Sequence, residues 1–529
     1  MPATVLQARY HYYEDRDRLD EPASGLIDNQ GHDRPLESCM NKTDSPRSRQ
    51  RFVLVTLLFF HSFNTYMDRA CIATAADSMM KDLSISKEMW GLILGIFAVG
   101  YALFQIPSGW IADRFGARKS LTIVVSVWSC FTALTGAAMN AGQLLVLRFL
   151  FGVGEAGAFP GATVAFYRWL PVKERGLAHG INFSGSRLGG ALSLFLMPWL
   201  IAIPWIGWRG MFVINGLIGI VWATVWLLWF RDDPRDNKRV NPAERATIEK
   251  GRAEDFKGAV KASFAEVFTS LNMSLAMLQY FASNITFYIC LGWLPKHIKD
   301  QWPNLENAVY YAAVPLVFAA FANWIAGSMV TGLYNKGYHV GSRRCTAITG
   351  FTVGILGLLA AIQTDSLGFL VTDKARLLWF VGSFGMATFG VDMTLSPSWA
   401  FCNDIGGGHS GAVSGAMNMV GNIGGALSLI LFPLMVANTF FALAISINAV
   451  AILCWCFMNP NRVNDGRLSP AALRARFIAL ITVCIALLAG AIGYNLYSGF
   501  QKNRAVAIEA NKQAAPADAN MPEEPRIIK

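Results

Sequence analysis

Long apolar stretches, separated by short polar connections, run through most of the chain. Six stretches are long enough to cross about 30 Å of hydrocarbon at 1.5 Å per residue, at 52–79, 89–112, 119–140, 143–168, 178–204 and 209–230. Six more follow a polar connection, at 272–296, 307–334, 345–363, 377–402, 410–436 and 438–458. This pattern predicts an all-α membrane protein with twelve transmembrane helices in two sets of six, and a thirteenth candidate at 477–497.

The same pattern divides the chain into six segments. We predict a disordered cytoplasmic extension, a first six-helix bundle, a cytoplasmic central loop, a second bundle, a linker with the extra helix, and a disordered tail, at 1–50, 51–231, 232–271, 272–459, 460–499 and 500–529. The extension lacks the basic-then-apolar order of a signal peptide. Met40 opens a shorter basic segment, so the start is expected at either Met1 or Met40.

Composition supports a membrane protein and excludes other classes. Hydrophobic residues make up 53% of the chain and charged residues 15%, with a mean hydropathy of +0.37. The net charge of +10 comes mainly from alternate loops, and this bias predicts a cytoplasmic N-terminus and a cytoplasmic central loop. We find no clustered basic face for nucleic acid, no metal-ligand spacing among nine cysteines and no catalytic constellation, so neither an enzyme nor a cofactor is expected.

Four full charges lie inside the apolar stretches: Asp68 and Arg69 in the first, Arg148 and Glu155 in the fourth. Each costs roughly 2.5 kcal/mol or more on insertion scales, so such residues indicate a pathway for an ion or polar solute. Arg148 and Glu155 are seven residues apart and share one helix face, whereas Asp68 and Arg69 point about 100° apart towards different partners. The alternative is a buried pair that fixes the packing of the two helices.

A loop motif recurs in the two halves. The sequence GWIADRFGARK after the second stretch contains Gly109, Asp113, Arg114, Gly116 and Arg118, and its counterpart begins at Gly327, with Thr331 in place of Asp113. Asp113 can bridge to arginines or cap a neighbouring helix start, which would hold the inner helix ends together as a gate. The alternative is a plain turn with positive charge inside.

This loop resembles the signature of the major facilitator superfamily, and the resemblance extends from about residue 52 to 459. RFLFGVGEAGAFPG (148–161), YALFQIPSGW (101–110) and DIGGGHSGAVSGAMNMVGNIGGALS (404–428) resemble the anion:cation symporter family, which includes bacterial galactonate, glucarate and hexuronate uptake systems. The resemblance implies that Asp68 and Glu155 carry protons, that Arg69 holds the substrate carboxylate, and that Arg148 tunes Glu155.

Further polar side chains are expected around this centre. Tyr101, Ser396 and Trp399 match family positions, and Asn418 and Asn422, four residues apart, share a helix face, although both asparagines could instead join helices. Arg187 is a third intramembrane cation, which either engages a second substrate carboxylate or packs helices. Asp392 is either another protonatable group or the partner of a cation such as Arg187.

Together these features predict a monomeric secondary transporter, in lipid, that imports a small organic anion with protons. A sugar acid such as a hexuronate, aldonate or glucarate fits the hydroxyl, amide and aromatic groups. A dry site favours the neutral form of a carboxyl group and a nearby arginine favours its charged form, so proton binding can depend on the anion. Two buried acids predict electrogenic transport of a monocarboxylate. The alternatives are a membrane sensor, sodium coupling, or transport of an aromatic carboxylate.

Overall fold

The computed structural model describes residues 48–256, 267–305, 308–432 and 435–460. The first half contains eight α-helices: α1 (Gln50–Thr74), α2 (Ala76–Asp82), α3 (Lys87–Phe115), α4 (Ala117–Thr135), α5 (Ala141–Glu155), α6 (Ala158–Trp169), α7 (Val172–Ala202) and α8 (Gly207–Trp229). The connection to the second half contains a 3-10 turn, Pro234–Asp236, and helix α9, Pro242–Phe256.

The second half continues the helical pattern. Its helices are α10 (Leu271–Gly292), α11 (Leu294–Gln301), α12 (Val314–Asn335), α13 (His339–Ile362), α14 (Asp373–Asp392), α15 (Leu395–Gly406), α16 (Ser410–Leu431) and α17 (Ala437–Phe457), with 3-10 turns at Ala308–Ala313 and Gly407–His409. The fourth and tenth predicted stretches are each divided into two helices, α5 with α6 and α14 with α15.

Each of the twelve predicted stretches overlaps one or two of these helices. Among the described residues, nine helical stretches are long and apolar enough to cross a membrane, and one of them, Asp373–Leu431, contains two predicted spans. Helices α1 and α4 do not reach that limit. For α1 the reason lies in its polar residues, which include Asn64, Asp68 and Arg69. The thirteenth candidate at 477–497, the tail, and most of the extension and linker lie outside the described residues.

Polar residues in the loops set the start of several helices. The side chains of Ser86, Asn140, Ser270 and Thr372 each accept a hydrogen bond from a backbone N–H three residues later. Such a bond satisfies one of the free N–H groups of the first helical turn. The helix faces beyond these caps expose large apolar side chains, including Leu103, Phe195 and Leu228, as a lipid-facing surface requires.

The two halves meet along two helix pairs, α3 with α16 and α7 with α12. Gly109 allows the first pair to approach closely, because a Cβ at this position would collide with the backbone of Gly411. Gly180 does the same in the second pair, against the carbonyl oxygen of Asn323. Small residues at such crossings let transmembrane helices pack backbone to backbone. The interface between the halves is therefore lined by two close helix crossings that flank a central space.

Helix α9 of the central connection is attached to the start of α1. The buried carboxylate of Glu244 accepts hydrogen bonds from the backbone N–H groups of Gln50 at 3.0 Å and Arg51 at 3.1 Å, and from the hydroxyl of Ser48. The Arg51 side chain lies 3.4 Å from Glu244 and 2.8 Å from Glu174 at the start of α7. Glu244 thus serves as a capping group supplied by a different segment of the chain.

Candidate functional site

A small, largely closed cavity of about 20 Å³, room for little more than one water molecule, lies between the two halves. Of the residues expected to bind substrate, six line it: Arg69, Tyr101, Arg187, Trp399, Asn418 and Asn422. Asp392 and three further tyrosines, Tyr66, Tyr280 and Tyr288, also face it. The lining is polar and cationic on some sides and aromatic on others.

One wall of the cavity includes Arg69, which joins α1 to α5 through an ion pair with Glu155, a residue outside the cavity lining. Arg69 Nε donates to Glu155 Oε1 at 2.9 Å, with 11% of the arginine side chain and 0% of the glutamate side chain exposed. The guanidinium carbon lies 4.5 Å from the Tyr101 ring centre. Among the described residues, Arg69 Nη2 and Glu155 Oε2 have no hydrogen-bond partner. The pair is therefore only half satisfied, and a cationic donor remains open in a buried place.

Asp68 and Arg148 lie behind this wall, away from the cavity lining. Asp68 Oδ2 accepts hydrogen bonds from Trp128 Nε1 at 3.1 Å and from Asn64 Nδ2 at 3.2 Å. Arg148 Nη2 donates to the hydroxyl of Thr135 at 3.0 Å. Asp68 and Arg69 thus have different partners, as their spacing predicts. Within the described chain Arg148 has no carboxylate within 4.0 Å, so its expected influence on Glu155 acts without direct contact.

A second ion pair crosses the cavity between the halves. Arg187 on α7 donates from Nε and Nη2 to the two oxygens of Asp392 on α14, at 2.5 and 2.9 Å. Asn323 on α12 donates to the same carboxylate at 2.9 Å. The Arg187 guanidinium also lies over the Phe287 ring, 3.6 Å from its centre. The interpretation of Asp392 as the partner of Arg187 agrees with this geometry.

The two paired carboxylates occupy matching places in the two halves. Glu155 is the last residue of α5 and Asp392 the last residue of α14, and the next helix begins three residues later in each case, at Ala158 and Leu395. A proline follows each carboxylate by five residues, at positions 160 and 397. This spacing between an acidic residue and a proline is a signal present in the sequence itself. The repeat of this spacing identifies Asp392 as the counterpart of Glu155 in the second half.

A chain of hydrogen bonds lines another side of the cavity and joins α3 to α16 and α10. Asn418 Nδ2 donates to the Tyr101 hydroxyl at 3.2 Å, and Asn422 Nδ2 donates to Asn418 Oδ1 at 3.1 Å. The Tyr288 hydroxyl in turn donates to Asn422 Oδ1. Both asparagines therefore join helices and line the cavity at the same time. Lining the cavity and joining helices are therefore compatible roles for these two residues.

Aromatic rings form the opposite side. Trp399 on α15 donates from Nε1 to the Tyr280 hydroxyl at 3.0 Å. Its ring centre lies 5.9 Å from that of Phe159 and 5.2 Å from that of Phe183, so the three rings form one cluster. Such a surface offers an apolar face to the carbon chain of a polar solute.

Ser396 lies elsewhere, outside the cavity lining. Its hydroxyl donates to the Gly176 carbonyl oxygen at 2.6 Å, which joins α15 to α7 across the two halves. The expected face shared with Trp399 does not bring Ser396 to the cavity, because the crossing of α7 covers that position. Ser396 is therefore a contact between the halves in this structure.

The loop motif closes one end of the bundles, which we call the basic end and define by Asp113, Arg118, Arg168 and Asp232. Asp113 Oδ1 and Oδ2 accept from the backbone N–H groups of Gly411 and Ala412, each at 2.8 Å, at the start of α16. This is the expected cap of a neighbouring helix, and it joins the two halves.

The remaining residues of the motif support this cap. Arg118 donates through its backbone N–H to Asp232 at 3.2 Å, and Arg168 forms an ion pair with Asp232 at 3.0 Å. Gly116 adopts a φ of 87°, which favours glycine. Arg114 lies over the Trp110 ring at 5.2 Å. Thr331, the counterpart of Asp113, has no hydrogen-bond partner for its hydroxyl among the described residues, so the cap exists in one half only.

Comparisons with known proteins agree with this arrangement. The model of the Major Facilitator Superfamily matches residues 58–429. A probable sulfoacetate transporter of Cupriavidus necator is 30% identical over 78% of this chain and 95% of its own. A D-galactonate transporter of Escherichia coli O6:H1 is 28% identical over 77% and 94%, and a hexuronate transporter of Bacillus subtilis is 27% identical over 74% and 89%.

A solved structure shares the fold. The proton:xylose symporter XylE bound to 6-bromo-6-deoxy-D-glucose covers 80% of this chain and 98% of its own, with a TM-score of 0.59 and 16% identity. The paired six-helix halves, the central cavity and the sequence match lead to one conclusion. This chain belongs to the Major Facilitator Superfamily, as a multi-pass membrane transporter similar to the sugar-acid and anion transporters of that superfamily.

Proposed function

We propose that the protein imports a small organic anion, with a sugar acid as the first candidate, by symport with protons. The observation that carries the proposal is the half-satisfied pair between Arg69, which lines the cavity, and the buried Glu155. Relatives named as sulfoacetate, D-galactonate and hexuronate transporters all handle acids that are anionic at neutral pH. An arginine with an open donor beside tyrosine and asparagine side chains suits such a solute.

Competition for Arg69 links the anion to the proton. A substrate carboxylate that takes the Arg69 donors displaces Glu155, whose charge would then be buried without a partner. An unpaired buried carboxylate is strongly unfavourable, so the displaced group binds a proton instead. Release of the anion returns Arg69 to Glu155 and frees the proton. Asp68, held by Trp128 and Asn64, supplies a second proton site next to the first.

Movement of the two halves exposes the cavity to each side in turn. The basic end faces the cytoplasm in this proposal, because Lys and Arg collect in its loops. In the structure this end is closed by the Asp113 cap on α16 and the Ser396–Gly176 bond. Inward release of substrate therefore requires both contacts to break. The Asp113 carboxylate and the Ser396 hydroxyl then take other hydrogen-bond partners.

Internal acidification of proteoliposomes tests the proposal. Purified protein is reconstituted with an internal pH dye, and a panel of sugar acids and other organic acids is added outside. We expect acidification by one or a few acids, lost in Arg69→Gln. Arg235→Gln removes an exposed pair with Asp233 that does not line the cavity, and it serves as the matched control. Binding of these acids without any proton movement, or uptake that needs sodium alone, would overturn the proposal.

A further inference from the structure

We infer that Arg187 and Asp392 form a second anion subsite, so that the preferred substrate carries two acidic groups, one at each end. The inference rests on the proposed function and specifies its substrate class. Arg69 would hold one acid group and Arg187 the other, with the carbon chain between them. A dicarboxylate or a carboxylate–sulfonate of two to six carbons is the chemistry that two buried guanidinium groups recognise.

The two arginines are close enough to share one small molecule. The guanidinium carbon of Arg69 lies 5.0 Å from the centre of the Tyr66 ring, and that of Arg187 lies 5.4 Å from the same point. Their separation is therefore no greater than the sum of these two distances. Both side chains line the same cavity, and only 3% of the Arg187 side chain is exposed. A small dianion can thus contact both groups at once.

The Arg187–Asp392 pair repeats the logic of the Arg69–Glu155 pair. Each carboxylate ends the first helix of a divided pair, at the same spacing before the second helix and its proline. Each is held by an arginine of the first half that faces the cavity. A second acid group that takes the Arg187 donors displaces Asp392, which remains bonded to Asn323 and binds a proton. Each acid group of the substrate would therefore enter with one proton.

A purely structural role for this pair explains less. Replacement of a buried ion pair by apolar residues often leaves stability unchanged or raises it, so packing alone gives no reason for two full charges here. Both members of the pair also line the cavity, and the pair bridges the two halves. A substrate that inserts between Arg187 and Asp392 would replace a contact between the halves by contacts to itself.

Matched pairs of acids test the inference. Binding and uptake are measured for D-glucarate against D-gluconate, which differ only in one terminal carboxylate, for succinate against butyrate, and for sulfoacetate against acetate. We expect the intact protein to prefer the dianion at least ten-fold in one or more pairs. The double variant Arg187→Gln/Asp392→Asn removes both charges without leaving one unpaired, and we expect it to reduce that preference to less than three-fold.

A buried ion pair within the second half provides the control. Arg343 and Asp404 lie 3.0 Å apart, and neither lines the cavity. Arg343→Gln/Asp404→Asn should therefore keep the ratio between dianion and monoanion, while size-exclusion profiles show which variants remain folded. The inference is overturned if both acids of every pair bind and enter equally well, or if the preference for the dianion survives in the Arg187/Asp392 variant. Either result leaves the proposed function standing. If none of the six acids binds while another organic acid enters with protons, this inference fails and the proposed function stands.

Discussion

Arg69 Nε donates to Glu155 Oε1 at 2.9 Å in a buried place, and each partner keeps one polar atom without a hydrogen bond among the described residues. A fully satisfied buried pair would resist separation, whereas a half-satisfied one can exchange partners at lower cost. The open guanidinium nitrogen marks where an anion can begin to bind. The open carboxylate oxygen marks where a proton can be received.

Asp68 determines whether transport moves net charge. If each acid group enters with one proton and Asp68 carries one more, every cycle moves one positive charge inward. An inside-negative potential of 100 mV then adds about 2.3 kcal/mol to the driving force for uptake. This raises the ratio of inside to outside anion concentration roughly 50-fold. Asp68→Asn should remove this dependence on voltage. Uptake is measured in liposomes with a potassium–valinomycin potential, and wild-type uptake that ignores the potential would contradict the prediction.

Removal of the Asp113 carboxylate should open the basic end. Asp113→Ala loses two hydrogen bonds from backbone N–H groups to a charged group, each worth about 1.5–3 kcal/mol. The population with a separated basic end should rise at least ten-fold. Spin labels at the exposed positions Lys173 and Lys336 report the distance across this end by pulsed electron resonance, in a background without the exposed cysteines.

Asp82 provides the control for this measurement, because its carboxylate is exposed, pairs with Arg209 and makes no contact with the basic end. Asp82→Ala should leave the distance distribution between the two labels as in the wild type. A distribution for Asp113→Ala that matches the wild type would show that other contacts hold the basic end closed.

Ser396 should affect the movement of the halves more than the affinity for substrate. Ser396→Ala removes one buried hydrogen bond to the Gly176 carbonyl, a loss of about 1 kcal/mol or somewhat more. We expect a changed rate of uptake with a Kd within two- to three-fold of the wild-type value. Isothermal titration and initial-rate uptake separate the two quantities. A ten-fold loss of affinity at unchanged rate would instead support the substrate contact inferred from the sequence.

Helix α9 should stabilise the first half through Glu244. Glu244→Ala leaves the N–H groups of Gln50 and Arg51 and the Arg51 side chain without this acceptor, which should cost about 1–3 kcal/mol. A lower apparent melting temperature, followed by intrinsic tryptophan fluorescence, is the expected result. Glu249→Ala, at an exposed position of the same helix, should melt as the wild type does. Equal melting temperatures for both variants would exclude this role.

The positions of the helices were predictable because apolar stretches of transmembrane length have no other stable arrangement. The sequence also identified most of the charged centre, since intramembrane Arg69, Glu155 and Arg187 stand out against their surroundings. The divisions after Glu155 and Asp392 were not predicted, because the residues at both breaks, including Gly157 and Thr394, are common within transmembrane helices.

Pairings across the chain depended on geometry that local patterns do not contain. Residue spacing separates Asp68 from Arg69, but it cannot tell that Trp128 rather than Arg148 contacts Asp68. The same limit applies to Ser396. Its spacing from Trp399 predicts a shared face, whereas the two side chains contact different helices, Ser396 at Gly176 of α7 and Trp399 at Tyr280 of α10.

The most direct test of the account is the number of protons taken up when an anion binds to the purified protein. A monocarboxylate that the protein binds is titrated into a weakly buffered detergent solution with a pH indicator. The account predicts uptake of about one proton per bound anion, because the displaced Glu155 becomes neutral. Glu155→Gln should bind the anion at least as tightly and take up none. Wild-type binding without proton uptake, or equal uptake by Glu155→Gln, would contradict the exchange of partners at Arg69.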